Sequence, residues 1–100
     1  MPGEADFPLE GLGVTWQVEY LESVVRKDIP RLSTTAGRRI RKAIETRLMT
    51  QPLRFGKPLR YSLVGARRLR VGDYRVIYRI EPPDTVLLLK IGHRRDVYMD

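Results

Sequence analysis

The stretch RLRVGDYRVIYR, residues 68–79, decides the fold of this 100-residue chain. Apolar and charged side chains alternate on both sides of Gly72-Asp73, and a period of two is typical of half-buried β-strands. Gly and Asp are common turn residues, so the stretch predicts a β-hairpin whose strands cover 67–71 and 74–81.

The segments around the hairpin predict the remaining elements. A strand over 85–91 is apolar on both faces, which indicates a position inside the sheet. Alternation over 15–21 predicts an opening strand, and the helical spacing of apolar residues predicts helices over 22–32 and from about residue 36 to about residue 50. We therefore predict an α+β fold with the order β-α-α-β-β-β, in which two helices pack on one face of an antiparallel sheet.

Composition sets further bounds on the class of protein. Residues 1–13 hold two Pro and three Gly without hydrophobic periodicity, so we predict a flexible N-terminal extension before a single domain over 14–100. No stretch approaches the roughly 18 apolar residues of a membrane span, and no signal-peptide pattern is visible. We expect a cytoplasmic protein with no membrane partner. The absence of Cys excludes disulfides and thiolate zinc sites.

The charge of the chain is high and unevenly placed. The net charge is +7; residues 1–25 carry five acids and no basic residue, whereas residues 26–100 carry all 19 basic residues and the other seven acids. Fifteen of the basic residues are Arg, whose planar guanidinium suits phosphate forks and stacking on bases. This balance favours a polyanionic partner.

The hairpin places its arginines on one face. Leu69 and Val71 share a face with the apolar set of the second strand, which is Tyr74, Val76, Tyr78 and Ile80. The opposite face carries Arg68, Arg70, Arg75 and Arg79. Like charges at this spacing repel one another, and a bound nucleic acid would relieve the repulsion.

The residues after the third strand add groups that can move a proton. Cleavage of RNA without a metal requires a group that takes the 2′-OH proton, charges that stabilise the phosphorane, and a group that protonates the leaving oxygen. Arginines can stabilise the phosphorane, and His93 or Tyr98 can transfer a proton. The groups available for these roles are His93, Arg94 and Tyr98 after the third strand, near Arg70 and Arg75 of the hairpin.

Other cations should hold the RNA backbone. The predicted RNA-binding residues are Arg79, Arg67, Arg95, Lys57 and Arg60. The sequence has no Gly-x-Ser-x-Gly turn, no phosphate-binding Gly-Lys-Ser/Thr loop and no metal-ligand spacing. We therefore predict neither a metal nor another cofactor.

The blocks RLRVGDYRVIY at 68–78 and IGHRRDVY at 91–98 resemble the RelE branch of the RelE/ParE toxin superfamily. The resemblance extends over 15–98. It implies the toxin of a type II toxin–antitoxin system, a metal-independent endoribonuclease that cleaves mRNA in the ribosomal A site by 2′-OH attack. It also implies a RelB-like antitoxin as partner, through which the toxin–antitoxin complex binds operator DNA.

The resemblance also implies roles for individual residues. Arg68 or Arg70 would lower the barrier at the 2′-OH, Arg75 would stabilise the phosphorane, Arg94 would orient the phosphate and leaving group, and Tyr98 would position the nucleotide. Arginines stand here where the best-known member has two lysines, and a guanidinium stays protonated. The identity of the general base is therefore open between His93, an arginine and Tyr98.

Two other functions compete with a nuclease. A ParE-type toxin shares the fold and inhibits DNA gyrase without nuclease activity, but it has no need of the complete Arg94/Tyr98 ending. A non-enzymatic RNA-binding module needs aromatic residues on the arginine-bearing face, whereas Tyr74 and Tyr78 are predicted on the opposite one.

Overall fold

The computed structural model describes residues 15–59 and 65–97. The predicted N-terminal extension, 1–13, lies outside these residues. The strands are β1 (Gln17–Tyr20), β2 (Lys57–Pro58), β3 (Ala66–Val71), β4 (Tyr74–Glu81) and β5 (Thr85–His93). Helix α1 consists of a π-helical stretch, Val24–Asp28, and a 3-10 turn, Ile29–Arg31; helix α2 covers Thr34–Ala43 and continues as a π-helical stretch, Ile44–Leu48. The predicted α+β fold is confirmed.

The five strands form one sheet in the order β1-β5-β4-β3-β2. The prediction of an antiparallel sheet is right for three of the four pairings, but β1 runs parallel to β5. A parallel pair needs a long connection, so this pairing leaves no local signal in the sequence. The short strand β2 was not predicted, because two residues that include Pro58 carry no strand pattern.

Local sequence determines where the helices begin and end. Pro30 lacks a backbone N–H, and it lies in the 3-10 turn that ends α1. Ser33 caps α2, since its hydroxyl accepts a hydrogen bond from the backbone N–H of Ala36 at 3.0 Å. The apolar stripe of α2, which includes Ile40 and Ile44, is buried against the sheet.

The main core lies between the helices and one face of the sheet. Tyr78, Val76 and Leu88 are fully buried there, together with Val24 and Leu48 from the helices. The Tyr78 hydroxyl lies 2.7 Å from the carbonyl oxygen of Pro52 and 2.5 Å from that of Phe55. The Tyr78 hydroxyl therefore also anchors the segment that follows α2 to the main core.

Gly56 is required by this arrangement. Its φ of 81° lies in the left-handed region, and a Cβ at this position would collide with the Tyr78 hydroxyl. Burial raises the pKa of Tyr78, while the neighbouring Arg67 guanidinium acts in the opposite direction.

The face predicted to be open carries a second, smaller core. Ile77 is fully buried on this face and packs with Leu59, Ala66 and Val97. Ile77 alternates with Arg75 and Arg79, so its face was predicted correctly, but its burial was not. The arginine-bearing face therefore has an apolar centre, with polar side chains on either side of it.

A buried carboxylate ends the pairing of β5 with β1. Beyond Leu88, where β1 no longer pairs, Asp28 accepts a hydrogen bond from the backbone N–H of Ile91 at 2.9 Å. The Asp28 carboxylate also lies 3.4 Å from the Lys90 ammonium. A side chain of α1 thus replaces the strand partner that β1 does not provide.

Within residues 15–59 and 65–97, no helix has the length and apolar character needed to cross a bilayer.

Candidate nucleic-acid interface

Four guanidinium groups gather on the face of the sheet opposite the helices. Arg70 and Arg75 are direct cross-strand partners on β3 and β4, and Arg68 precedes Arg70 by two residues on the same face. Arg94 follows β5, and its backbone N–H donates to the carbonyl of Asp73 at 2.7 Å. We call Arg68, Arg70, Arg75 and Arg94 the arginine cluster.

The electrostatics of Arg75 reflect this crowding. Its pKa is lowered by partial desolvation and then by the positive charges of Arg70, Arg68 and Arg94, while Asp73 acts in the opposite direction. The Arg75 Nη1 donates to the carbonyls of Gly72 at 3.0 Å and Tyr74 at 2.9 Å. A guanidinium has five N–H groups, so these two bonds fix the side chain and leave Nε and Nη2 for an anion.

Among the described residues, the carboxylate of Asp73 accompanies the cluster. Asp73 Oδ1 lies 3.9 Å from the Arg94 Nε, and both side chains are more than half exposed. An exposed ion pair at this distance contributes little. The cluster therefore keeps a positive field that a phosphate group can enter.

His93 lies on the other face of the sheet. It is the direct partner of Tyr74, which faces the helices, and the two rings meet edge to face with centroids 5.5 Å apart. The preceding residue, Gly92, pairs with Arg75. Sequence reasoning grouped His93 with the arginines because it lies next to Arg94 in the chain, but the alternation along β5 separates the two side chains.

The hydrogen bonds of His93 also limit its chemistry. Its Nδ1 accepts a hydrogen bond from the backbone N–H of Arg95 at 3.1 Å, so the neutral ring carries its proton on Nε2. His93 lines a cavity of about 210 Å³ with Asp28, Arg31, Tyr74, Lys90 and Arg95, among others. In this arrangement His93 is a donor at Nε2 rather than a base.

The predicted RNA-binding residues fall in different places. Lys57 is the cross-strand partner of Arg68 and adjoins the arginine cluster, whereas Arg79 pairs with Glu81 at 3.3 Å on the far side of Ile77. Arg95 is exposed beside the His93 cavity. Arg60 and Tyr98 lie outside the described residues.

Arg67 has a structural role. Its Nη2 donates to the carbonyls of Leu53 at 3.0 Å and Gly56 at 3.1 Å, on the same side of β3 as Leu69. The alternation that places Leu69 in the core places Arg67 beside it, so the sequence held this signal. Its part in RNA binding stays a prediction, and these two carbonyls do not favour it.

Sequence reasoning missed three cations that lie beside the cluster. The exposed Arg39, Lys42 and Arg47 of α2 border Arg70 and Gly72, and the Arg47 Nη1 donates to the carbonyl of Arg70 at 3.4 Å. Their positions share one helix face, which was the available signal. Within the described ranges, no group of three or more His, Cys, Asp or Glu side chains could hold a metal ion.

Sequence comparisons place the chain among known toxins. A profile of the family described as "ParE toxin of type II toxin-antitoxin system, parDE" matches residues 20–98. Toxin RelG of Mycobacterium tuberculosis (strain ATCC 25618 / H37Rv) is 48% identical over 52 residues, which are 51% of this chain and 60% of RelG. Toxin RelE of the same organism is 53% identical over 34 residues, 34% of this chain and 35% of that toxin. In these matches the chain spans less than two thirds of either relative.

Solved structures share the fold. The chain is similar to a chain in the crystal structure of the toxin–antitoxin complex RelBE2 from Mycobacterium tuberculosis, with a TM-score of 0.74, 34% identity, and coverage of 81% of this chain and 93% of that one. It is also similar to the archaeal RelE–RelB complex from Pyrococcus horikoshii OT3, with a TM-score of 0.58, 27% identity, and coverage of 83% and 99%.

Proposed function

We propose a function on the premise that this chain belongs to the ParE toxin family of type II toxin–antitoxin systems, within the RelE/ParE superfamily. The function we propose is that of a toxin that cleaves mRNA as a metal-independent endoribonuclease, in the ribosomal A site. The observation that carries this proposal is the arginine cluster, because four guanidinium groups on one sheet face form a preorganised field for a charged phosphorane.

The chemical step balances without a metal or an external reagent. The 2′-oxygen forms a bond to phosphorus, and the bond from phosphorus to the 5′-oxygen breaks. The 2′-OH loses a proton and the leaving 5′-oxygen gains one, which gives a 2′,3′-cyclic phosphate and a free 5′-hydroxyl. Negative charge grows on the non-bridging oxygens in between, and the free N–H groups of Arg75, together with Arg70, would stabilise it.

The proton transfers are assigned by elimination. The arginines stay protonated, and His93 lies on the opposite face with its proton on Nε2. Of the two proton-transfer candidates in the sequence, His93 and Tyr98, this leaves Tyr98.

The partner of such a toxin is a neutralising antitoxin. The two similar structures are complexes with RelB proteins by their names. A RelB-like antitoxin for this chain follows by analogy, and binding of the complex to operator DNA would be a property of that antitoxin.

The match to the ParE profile over residues 20–98 favours a second candidate, a gyrase inhibitor without nuclease activity. Such a toxin needs a protein-binding surface and no group that transfers a proton. The two functions therefore differ in what they require of Arg75 and Tyr98.

Primer extension on a defined mRNA tests the proposal. The purified protein is added with and without translating ribosomes, beside the variants Arg75→Ala and Tyr98→Phe. We expect cuts in register with codons that need ribosomes, with loss of about 10²- to 10³-fold in rate for Arg75→Ala, because removal of one charge-stabilising donor typically costs that much.

The fragment ends sharpen the experiment. The 3′ end of the upstream fragment should be a cyclic phosphate, and the downstream fragment should begin with a 5′-hydroxyl. If the protein stops growth but produces no cuts under any condition, the nuclease proposal is wrong, and supercoiling by DNA gyrase is the next assay.

A further inference from the structure

A positively charged track continues from the arginine cluster onto helix α2. Arg70 lines two neighbouring grooves. The β2 groove, of about 210 Å³, is formed by Gly56, Lys57, Arg68, Leu69 and Arg70. The α2 groove, of about 250 Å³, is formed by Arg39, Lys42, Ala43, Thr46, Arg47, Arg70, Val71 and Gly72. No carboxylate is among the described residues that line either groove.

The cations of the α2 groove stand close together and are held in place. Arg39 and Lys42 are three residues apart on one helix face, where like charges destabilise a helix. The Arg39 guanidinium lies over Gly72, so that a Cβ there would approach its Nη2 to 2.6 Å. Arg47 is tied to the backbone of Arg70. These contacts place Arg39 and Arg47 along one strip of surface, which Lys42 also lines.

Two other basic residues of the helices are paired with acids, whereas the cations of the α2 groove face no acid in it. Arg26 pairs with Glu22 at 3.2 Å on α1, and Arg41 pairs with Glu45 at 3.7 Å on α2. Glu45 is the one acid in α2, and its partner Arg41 faces away from the groove, beside Ile44 and Tyr20. The groove side of α2 therefore carries a charge that the described part of the protein leaves unbalanced.

We propose that the α2 groove binds the sugar–phosphate backbone of RNA outside the cleaved linkage, with Arg39, Lys42 and Arg47 as phosphate contacts. This rests on the proposed function for the choice of RNA over another polyanion. The groove increases the affinity for the RNA strand and sets its direction, while the arginine cluster acts on the phosphate of the cleaved linkage. Phosphate contacts of this kind carry no sequence preference and depend strongly on salt.

Binding of 2′-O-methyl RNA separates this proposal from catalysis, because such RNA has no 2′-OH to attack. The test variant is Arg39→Gln/Lys42→Gln/Arg47→Gln. The matched control is Arg26→Gln/Lys27→Gln/Arg31→Gln, which removes three exposed charges from α1. Fluorescence anisotropy would measure affinity for oligonucleotides of about 4 and about 16 nucleotides over a salt series.

The expected result depends on oligonucleotide length. The α2 variant should bind the long oligonucleotide at least about tenfold more weakly than the control, and its slope of log K against log salt should be smaller by about 2, as three lost phosphate contacts require. Its affinity for the short oligonucleotide should match that of the control. Loss of long-RNA binding in a protein that cuts nothing would support the groove while contradicting the nuclease.

Two outcomes would overturn the proposal. Equal affinity and equal salt slope for the two triple variants would mean that the α2 charges are not phosphate contacts. Unchanged RNA binding with weakened binding of poly-L-glutamate would assign the groove to an acidic protein. Urea unfolding of both variants would verify that neither has lost its fold, which is expected because all six side chains are exposed.

Discussion

The two faces of the sheet use the same strands for opposite purposes. On the helix-covered face, Val76, Tyr78 and Leu88 are fully buried in the main core. On the other face, Arg70 and Arg75 stand side by side, and a small apolar cluster around Ile77 interrupts the charged surface. Neighbours in the chain such as Arg75 and Val76 thus differ completely in what surrounds them. Most of the stability of the fold comes from the helix-covered face. This stability allows the arginine-bearing face to hold like charges close together.

The largest effect should come from truncation at the helix-covered face. Leu88→Ala removes a fully buried side chain, and we expect unfolding to be easier by about 2–5 kcal/mol, because the lost transfer energy adds to that of the cavity. Urea denaturation at neutral pH measures this change.

The neighbouring Leu89 is the matched control. It is partly buried and packs against the Ile77 cluster, so Leu89→Ala should cost roughly 1–2 kcal/mol. Equal losses of unfolding free energy for the two substitutions would show that the two faces contribute equally to stability, contrary to this expectation.

The next effect tests the polar anchor of the main core. Tyr78→Phe leaves the carbonyls of Pro52 and Phe55 without their donor, which should cost about 1–3 kcal/mol at neutral pH. Because burial raises the pKa of folded Tyr78, its contribution is fully present below the unfolded value of about 10 and is lost as the pH rises through the folded value.

Chemical denaturation from pH 7 to pH 11 measures both consequences. The difference in unfolding free energy between wild type and Tyr78→Phe should shrink above about pH 10. A difference that is constant or grows in this range would contradict the assignment. Since the pKa of Tyr20 is also raised, the wild-type curve alone does not isolate Tyr78.

A smaller effect of opposite sign is expected on the arginine-bearing face. Arg70→Gln removes a positive charge directly opposite Arg75 and should stabilise the fold by about 0.2–1 kcal/mol at low salt. High salt screens the repulsion, so the gain should fall when the ionic strength is raised. Thermal unfolding at two salt concentrations checks this. A loss of stability at low salt would indicate that Arg70 supports the fold.

The smallest effect concerns His93. The variant His93→Ala should keep its rate of RNA cleavage within about threefold of wild type, whereas Arg94→Ala, one residue along the chain, should lose at least about 10²-fold. The cleavage assay with ribosomes measures both. A loss at His93 as large as that at Arg94 would mean that the histidine reaches the reacting phosphate despite its position beside Tyr74.

Local patterns predicted most of the fold. Alternation gave β4 with its observed bounds, and the helical spacing of apolar residues predicted α2. The parallel pairing of β1 with β5 and the short strand β2 were missed, because both depend on contacts between distant parts of the chain. The buried state of Ile77 was missed for the same reason, since Leu59 and Val97 cover it from elsewhere in the sequence.

The candidate site was predictable where a single strand determined it. Arg68, Arg70 and Arg75 were placed on one face by the period of two, and the structure has them there. The placement of His93 required the register between β4 and β5, which contains an irregularity at Ile77/Tyr78. The register between two strands is set by the turn and by packing. The alternation of residues in β5 alone therefore did not predict which residues of β4 lie opposite them.

The buried carboxylate of Asp28 has a consequence for association with other chains. An unpaired strand edge invites strands from other molecules, and β5 would offer such an edge from Leu88 onward. With the Ile91 N–H already bonded to Asp28, an incoming strand would meet a negative charge in place of a donor. Strand exchange and edge-to-edge aggregation are thereby discouraged at this side.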